Sequence, residues 1–574
     1  MCGIFCSVAW GADIPLVFET DVLSRIKRRG PDYWFTRNIK LGASRHVCFA
    51  CSILHLRGDR INSQLNTCGQ DQSQSYLAWN GEIFGGYDVP LNKNDTEFLF
   101  ELLNSVESDE DIVDVLRKIR GPWAFIFFQA KEEKLWFGRD VLGRRSLLWQ
   151  FDKAEKTFKL SSVVDNDKSK WSEVPANGIF YLNLKYLTEN PQFTCFPWSN
   201  QLGKVDDFIY FDVELDVRNE IKNPISNTLN KKLPSQDDLK SNDSFSKSAQ
   251  FDKTMHDFID VLRMSVKTRV ENQQDICKCC SVVGSDISTC LHSKTGVLFS
   301  GGIDSSVLAV LADEFVPKTE PIDLMNVAFV RKFEKSEMDG EVPDRLSGRI
   351  ALEELKLICP NRKWNFVEIT VSKEELCAER HKTISPLIHP SNTVLDDSIG
   401  CSIWFAARGI GTIRLDKNHK QSQTYISTCR VLLVGMGADE QLAGYSRHRM
   451  RFANNGWKGL LEEMEMEMSR ISFRNLGRDD RVIADHGCEA RFPFLDENVI
   501  EFLNGLPIWF KANLNLPRGS GEKLLLRCAS RVLGFDRVSS FAKKAIQFGT
   551  RISKIEERKQ KGSDIMKESQ EKLK

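Results

Sequence analysis

The stretch Thr295-Gly-Val-Leu-Phe-Ser-Gly-Gly-Ile-Asp-Ser-Ser306 constrains this chain most. Gly296 to Phe299 reads as a short buried strand and Ser300-Gly301-Gly302 as a tight turn. From Ser305 onward, Val307, Leu308, Leu311 and Phe315 fall on one face of a helix. A strand, a glycine turn and a helix start together build an anion site. Glycine lets the backbone approach closely, and the free N–H groups of the first helical turn point at the anion. No Gly-Lys-Ser/Thr follows, so this is not a Walker phosphate loop. Pro321–Val330 and Trp364–Val371 read as further buried strands. Val431–Val434 reads as another, running into Gly435-Met436-Gly437-Ala438-Asp439-Glu440. Strands separated by helical stretches predict a doubly wound parallel sheet that binds ligands at its strand C-termini.

A chain of 574 residues is too long for one core, and two to four domains are expected. Its 79 basic and 79 acidic residues balance, which excludes nucleic-acid binding driven by bulk charge. The N-terminus lacks a basic region followed by an apolar run, and nothing approaches a membrane span of about 18 apolar residues. A soluble, cytoplasmic protein with neither membrane nor nucleic-acid partners is expected. The 16 cysteines are scattered and read as reduced thiols.

Cys2 is the second sharp feature. Removal of Met1 would leave a thiol and a free α-amine on one residue. The amine's reference pKa is about 7.7–8.0, so the nucleophile would carry its own base. Downstream come Arg29-Gly-Pro-Asp32, Trp79-Asn-Gly-Glu-Ile-Phe84, Asn94-Asp-Thr-Glu97, Gly121-Pro-Trp-Ala-Phe125 and Gly138-Arg-Asp-Val-Leu-Gly-Arg-Arg-Ser-Leu147. In this order they resemble a class II glutamine amidotransferase domain of the N-terminal nucleophile type, over roughly residues 2–185. The resemblance implies an αββα sandwich. It also implies that Cys2 attacks the glutamine side-chain amide, that Asn80 and the Gly81 N–H hold the oxyanion, and that Asp95 with the Gly81–Glu82 backbone grips the α-amino end. Arg29 and Asp32 would shape the site.

The Ser300 loop resembles the pyrophosphate loop of the ATP pyrophosphatases. With Gly444-Tyr445, Asp485-His-Gly-Cys-Glu-Ala-Arg-Phe-Pro-Phe-Leu-Asp496 and Gly521-Glu-Lys-Leu-Leu-Leu-Arg527, residues 251–553 resemble the synthetase domain of the asparagine synthetase family. That implies ATP and Mg2+ as cofactors. Ser300, Gly301, Gly302, Asp304 and Ser305 would cradle pyrophosphate, and Phe299, Val434 and Gly435 would flank the nucleotide. Asp304 and Asp439 would hold Mg2+, whose hardness suits oxygen ligands. Lys523 would stabilise charge on the adenylate. The implied reaction is ATP-dependent amidation of aspartate with ammonia from glutamine. Two other readings stay open: adenylation of a different acceptor, and a degenerate, non-catalytic interaction protein. The oligomeric state is open as well, a homodimer being one option.

The chain departs from the family at several points. The family's Arg-Leu-x-Ile strand corresponds to Ala50-Cys-Ser-Ile-Leu-His-Leu-Arg57, so either Arg57 or Arg45 replaces the arginine that binds the glutamine carboxylate, or glutamine binding is weak. Arg28 stands where relatives often have His. Where the family has Ser-Gly-Glu-Gly-Ser-Asp-Glu, this chain has Val434 and Met436 for the first serine and the glutamate, and Asn392–Gly400 also differs. Residues 186–250 read as a polar linker or insertion, and 554–574 as a charged tail. Met255–Val270 reads as an amphipathic helix. It leads into Cys277-x-Cys279-Cys280 with Cys290 and His292, whose spacing matches no common zinc pattern. This segment reads as a polar loop with incidental cysteines, zinc ligation being the alternative.

Overall fold

The structure is a computed structural model. It describes residues 2–11, 20–59, 61, 74–165, 171–187, 191–199, 214–235, 248–271, 273–283, 290–331, 342–414 and 421–555. The charged tail beyond residue 555 and parts of the 186–250 region lie outside the described residues.

The first half contains two six-stranded sheets. One runs in the order β2 (Tyr33–Leu41), β3 (Arg45–Ile53), β1 (Gly3–Trp10), β8 (Thr157–Ser161), β7 (Leu148–Asp152), β9 (Ser172–Glu173). The other runs β12 (Glu214–Val217), β11 (Gln192–Pro197), β10 (Gly178–Asn183), β6 (Lys134–Arg139), β5 (Trp123–Gln129), β4 (Tyr76–Gly81). Successive side chains on a strand face opposite ways, and both faces are put to use. Ile4, Cys6, Val8 and Trp10 of β1 meet Ala124, Ile126 and Phe128 of β5 in the core between the sheets. Trp123, Phe125 and Phe127 face outward, onto the helices Asp95–Ser105 and Asp109–Arg117. This is the expected helix–sheet–sheet–helix sandwich.

The sandwich does not stop at residue 185. β11 and β12 extend its second sheet, β12 pairing parallel to β11. The boundary is displaced because Phe193 and Cys195 still belong to the inter-sheet core. The polar stretch after β12 is anchored rather than merely a spacer, with Ser226 and Asn230 hydrogen-bonded to Glu501 and Asn504 of the second half.

The second half is built on a seven-stranded sheet, ordered β17 (Ser422–Ile426), β16 (Ile410–Arg414), β15 (Trp364–Ser372), β14 (Ile322–Val330), β13 (Thr295–Leu298), β18 (Val431–Leu433), β19 (Glu489–Arg491). From β15 to β19 the pairing is parallel, while β16 and β17 add an antiparallel edge. The helices Ala249–Val270 and Ile303–Phe315 pack on one face, and Val394–Arg408 packs on the other. That second core also takes in Phe5, Val22, Ile26 and Leu148, so apolar packing is continuous between the halves. Among the described residues no helix is long and apolar enough to cross a membrane. Every described cysteine is a free thiol.

Candidate active sites

Cys2 lies immediately before β1 and is 8% exposed. Its backbone N–H donates to Asn80 Oδ1 at 3.0 Å, which leaves the buried Asn80 Nδ2 with no partner among the described residues. A buried donor without an acceptor is costly unless a ligand supplies one. Here it is free to meet an oxyanion beside the thiol. Gly81 follows in β4 where a Cβ would lie 2.7 Å from the Pro122 carbonyl oxygen, so only glycine fits. Burial pushes the Cys2 thiol up, so attack needs a base close by.

Asn94 caps the Asp95–Ser105 helix by accepting from the Glu97 N–H at 2.9 Å, which places Asp95 in the buried first turn. Asp95 Oδ2 accepts from the Ile83 N–H at 2.6 Å, and Oδ1 lies 3.2 Å from the Arg57 guanidinium. Burial, reinforced by Glu82, pushes the Asp95 carboxyl up to about 8, although Arg57 opposes the shift. Cys2, His55, Arg57, Gly81, Glu82 and Asp95 line one pocket. Of the two arginines that could replace the family's carboxylate-binding residue, Arg57 lines the pocket. It also donates to the Ile83 and Val89 carbonyls at 3.2 and 2.9 Å. Arg45 instead pairs with Glu133 at 2.5 Å.

Arg29 and Asp32 hold the pocket against the second half. Arg29 donates to the Cys2 carbonyl at 3.3 Å and to Asp480 at 2.7 Å. Asp32 accepts from the His55 N–H at 2.7 Å and from Arg430. A chain of buried charges continues from there: Asp480 with Arg145 at 3.5 Å, Arg145 with Glu489 at 3.1 Å, Glu489 with Arg491 at 2.6 Å, and Arg491 with Glu82 at 3.7 Å. Arg29, Arg145 and Arg491 thus balance Asp480, Glu489 and Glu82. Sequence reasoning did not foresee this chain, although Arg145 and Arg491 lie in its motifs. Arg28 pairs with Asp485 at 2.8 Å on the same seam.

In the second half, β13 and β18 are neighbours, so both glycine turns open at adjacent strand C-termini. Buried Phe299 and Val434 end these strands, with Gly435 beside Asp304. The helix begins at Ile303 rather than Ser305, which puts Asp304 in its first turn. An acidic side chain is favoured at that end of the helix dipole. Gly301 has φ +73°, and a Cβ there would lie 2.3 Å from the Gly348 nitrogen. Ser300, Gly302, Asp304, Asp344, Lys523 and Lys543 are among the residues lining a single pocket, and Ser305 follows one position on, its Oγ donating to the Gly302 carbonyl at 3.1 Å.

Lys523 is the hub of that pocket. It is 1% exposed, and its Nζ lies 2.7 Å from a carboxylate oxygen of Asp304 and 2.7 Å from one of Asp439. Asp439 pairs with Lys543 as well. Burial disfavours its charge, but Lys523 and Lys543 hold the carboxyl well below the usual carboxylate range. A side chain at Gly444 would place Cβ 1.9 Å from Asp439 Oδ1, so glycine is needed beside the cluster.

Sequence reasoning missed Lys543 and Asp344. The pair Lys543-Lys544 was the available signal for the first. Asp344, pushed up to about 7 by burial, follows Pro343 at a helix start and carried no motif. Met436 is half-buried against apolar core residues. In the Asn392–Gly400 segment, Asp396 and Asp397 are bound in ion pairs with Arg478 and Arg380 at 2.7 and 3.0 Å.

The fold has the two-domain architecture of the asparagine synthetase family, an N-terminal glutamine amidotransferase-type sandwich and a C-terminal asparagine synthase-type sheet. Comparison with known proteins agrees. A glutamine amidotransferase domain family matches residues 70–166, and the asparagine synthase family matches 291–457 and 452–533. The chain is 41% identical to asparagine synthetase domain-containing protein 1 of Mus musculus, over 98% of this chain and 99% of that protein. It is also 41% identical to the Homo sapiens protein of that name, over 98% and 97%. The glutamine-hydrolysing asparagine synthetase of Gallus gallus is 23% identical over 92% of this chain and 80% of its own. The chain belongs to the asparagine synthetase domain-containing branch of the asparagine synthetase family.

Proposed function

We propose that this protein is a glutamine-hydrolysing, ATP-driven amidotransferase whose leading acceptor is the side-chain carboxylate of aspartate. The observation that carries the reading is the convergence of Asp304 and Asp439 on Lys523, each at 2.7 Å, at the mouth of the Ser300 turn.

In the first pocket the α-amine of Cys2, freed by removal of Met1, takes the thiol proton. The thiolate attacks the glutamine amide, and Asn80 Nδ2 with the Gly81 N–H stabilises the oxyanion. Glu82 and Asp95 bind the substrate ammonium and Arg57 its carboxylate. The tetrahedral intermediate collapses with loss of ammonia, which takes the proton back from the α-ammonium, and water then releases glutamate from the thioester. In the second pocket Phe299, Val434 and Gly435 flank the nucleotide. The backbone of Ser300–Gly302 and the start of the following helix face its phosphates, with Ser305 beside them. Asp304 and Asp439 suit Mg2+, which would offset the charge of the leaving pyrophosphate when bound. Lys523 and Lys543 lie where that charge develops. Carboxylate oxygen leaves poorly, so activation with AMP as the leaving group precedes attack by ammonia, which reaches it inside the molecule. The balance is aspartate, glutamine, ATP and water giving asparagine, glutamate, AMP and pyrophosphate. The abundance of free thiols suits a reducing, cytoplasmic setting.

Met436 favours one second reading. An unionisable side chain in place of the family's glutamate leaves ATP chemistry intact but alters the acceptor end, so another carboxylate could be amidated. The test measures pyrophosphate and amino acids together, from ATP, magnesium and aspartate with glutamine or ammonia. Pyrophosphate and asparagine are expected with either donor. Pyrophosphate formed only when aspartate is replaced by another acid would move the reading to that acceptor. Neither product from folded protein, with any acid tried, would leave a non-catalytic role.

A further inference from the structure

Between the Ala249–Val270 helix and β13, the cysteines read as incidental are brought together. Cys277, Cys280, Cys290 and His292 converge, and their ligand atoms all lie within 4.8 Å of one another. Cys277 Sγ is 3.6 Å and Cys280 Sγ 3.4 Å from His292 Nδ1. A tetrahedral zinc with Zn–S of about 2.3 Å and Zn–N of about 2.05 Å requires S···N edges of about 3.6 Å. Two of the six edges thus already have tetrahedral length, and the other four lie within 4.8 Å.

We propose that these four residues form a structural zinc site, Cys277-x2-Cys280-x9-Cys290-x-His292. Four protein ligands close the coordination sphere, the hallmark of a structural rather than a catalytic zinc. The Cys277 N–H donates to Cys290 Sγ at 3.2 Å, and the Cys280 N–H to Cys277 Sγ at 3.4 Å. Such backbone donors stabilise thiolates and orient them for the metal. The neighbouring Cys279 is exposed and stays outside the cluster. Among its described residues, the segment has a small apolar cluster of its own and is otherwise tied down by hydrogen bonds. Its apolar cluster consists of the three cysteines and Ile276, separate from the main cores. An excursion with so small a core is stabilised by a cross-link, and metal binding supplies one while releasing the thiol protons.

The site would sit at the seam. The Lys278 N–H donates to the Thr428 carbonyl at 3.0 Å, and Lys278 Nζ to the His486 carbonyl. Gln274 reaches across to the Gly58 carbonyl at 2.5 Å, one residue from Arg57 of the glutamine pocket.

The test is metal content of the full chain, purified without a histidine tag and dialysed exhaustively. Atomic spectroscopy should find about one zinc per chain. The double variant Cys277→Ser, Cys290→Ser should lose it, and Cys279→Ser should keep it. Titration of wild type with an organic mercurial should release the zinc as the cluster thiols react, a readout that does not depend on the variant folding. Cobalt substitution should give the intense visible bands of tetrahedral thiolate coordination. Folded wild type with less than about a tenth of an equivalent of zinc overturns the proposal. So does a Cys277–Cys280 disulfide found by mass spectrometry, an iron–sulfur chromophore, or zinc retained by the double variant.

Discussion

The two pockets diverge from their family in different ways. The glutamine pocket has no arginine at the position the family's strand predicts, and Arg57, from a later position, lines it and pairs with Asp95. In the synthetase pocket the Ser300 turn, Asp304, Asp439 and Lys523 come together, while Met436, where the family has a glutamate, packs against apolar core residues. The difference has a physical basis. The features proposed to meet phosphate are built into the fold: a left-handed Gly301 pressed on Gly348, a helix N-terminus, and carboxylates locked to a buried lysine. Such features cannot change without rebuilding the sheet end. A single contact to a small carboxylate is one side chain, and one side chain can be moved or lost.

The strongest break in the comparison comes from disabling each pocket alone. Cys2→Ala should lower glutamine hydrolysis by on the order of 10⁴-fold or more while sparing pyrophosphate release driven by ammonia. Lys523→Ala should do the reverse, lowering pyrophosphate release about 10²- to 10³-fold with glutaminase intact. A glutaminase assay and a pyrophosphate assay on both variants decide it. Glutamine hydrolysis surviving in Cys2→Ala would remove the nucleophile assignment.

Arg57→Ala sharpens the claim that charge was relocated. Loss of a charge-assisted contact predicts a KM for glutamine raised about 100-fold, with ammonia-dependent activity unchanged. Arg45→Ala should leave KM where it was. Equal effects of the two substitutions in steady-state kinetics would sink the relocation.

The smallest effect is on pH. Asp95 must be ionised to hold the substrate ammonium, and burial raises its carboxyl to about 8. Below that value most of the free enzyme carries the proton, so affinity improves as pH rises. KM for glutamine should fall roughly eightfold between about pH 7 and about pH 8.5. A flat KM profile would show that Asp95 does not bind the ammonium.

Much of this was legible because it was local. The strand–turn–helix around Ser300 needs only its own residues. Cys2 with Asn80 and Gly81 was also recoverable, since motif order fixes both strands. What stayed hidden depends on distant partners. Nothing near Lys543 says that Asp439 is its counter-ion. The parallel pairing of β12 on β11 joins segments separated by a polar stretch, so the sandwich seemed to end early. The cysteine spacing is uninformative because the chain between Cys280 and Cys290 can close in many ways, and only the fold brings His292 to the thiols.

The run of alternating charges from Arg29 to Glu82 also bears on modularity. Cutting the protein between its halves would strand Arg29 and Arg145 on one fragment and Asp480 and Glu489 on the other. Each was buried against its counter-ion, and breaking a buried pair typically costs about 3–5 kcal/mol. The halves are therefore not interchangeable cassettes. A chimera that joins this amidotransferase to a foreign synthetase must carry the matching acidic residues with it, so the seam is inherited as one unit with both pockets.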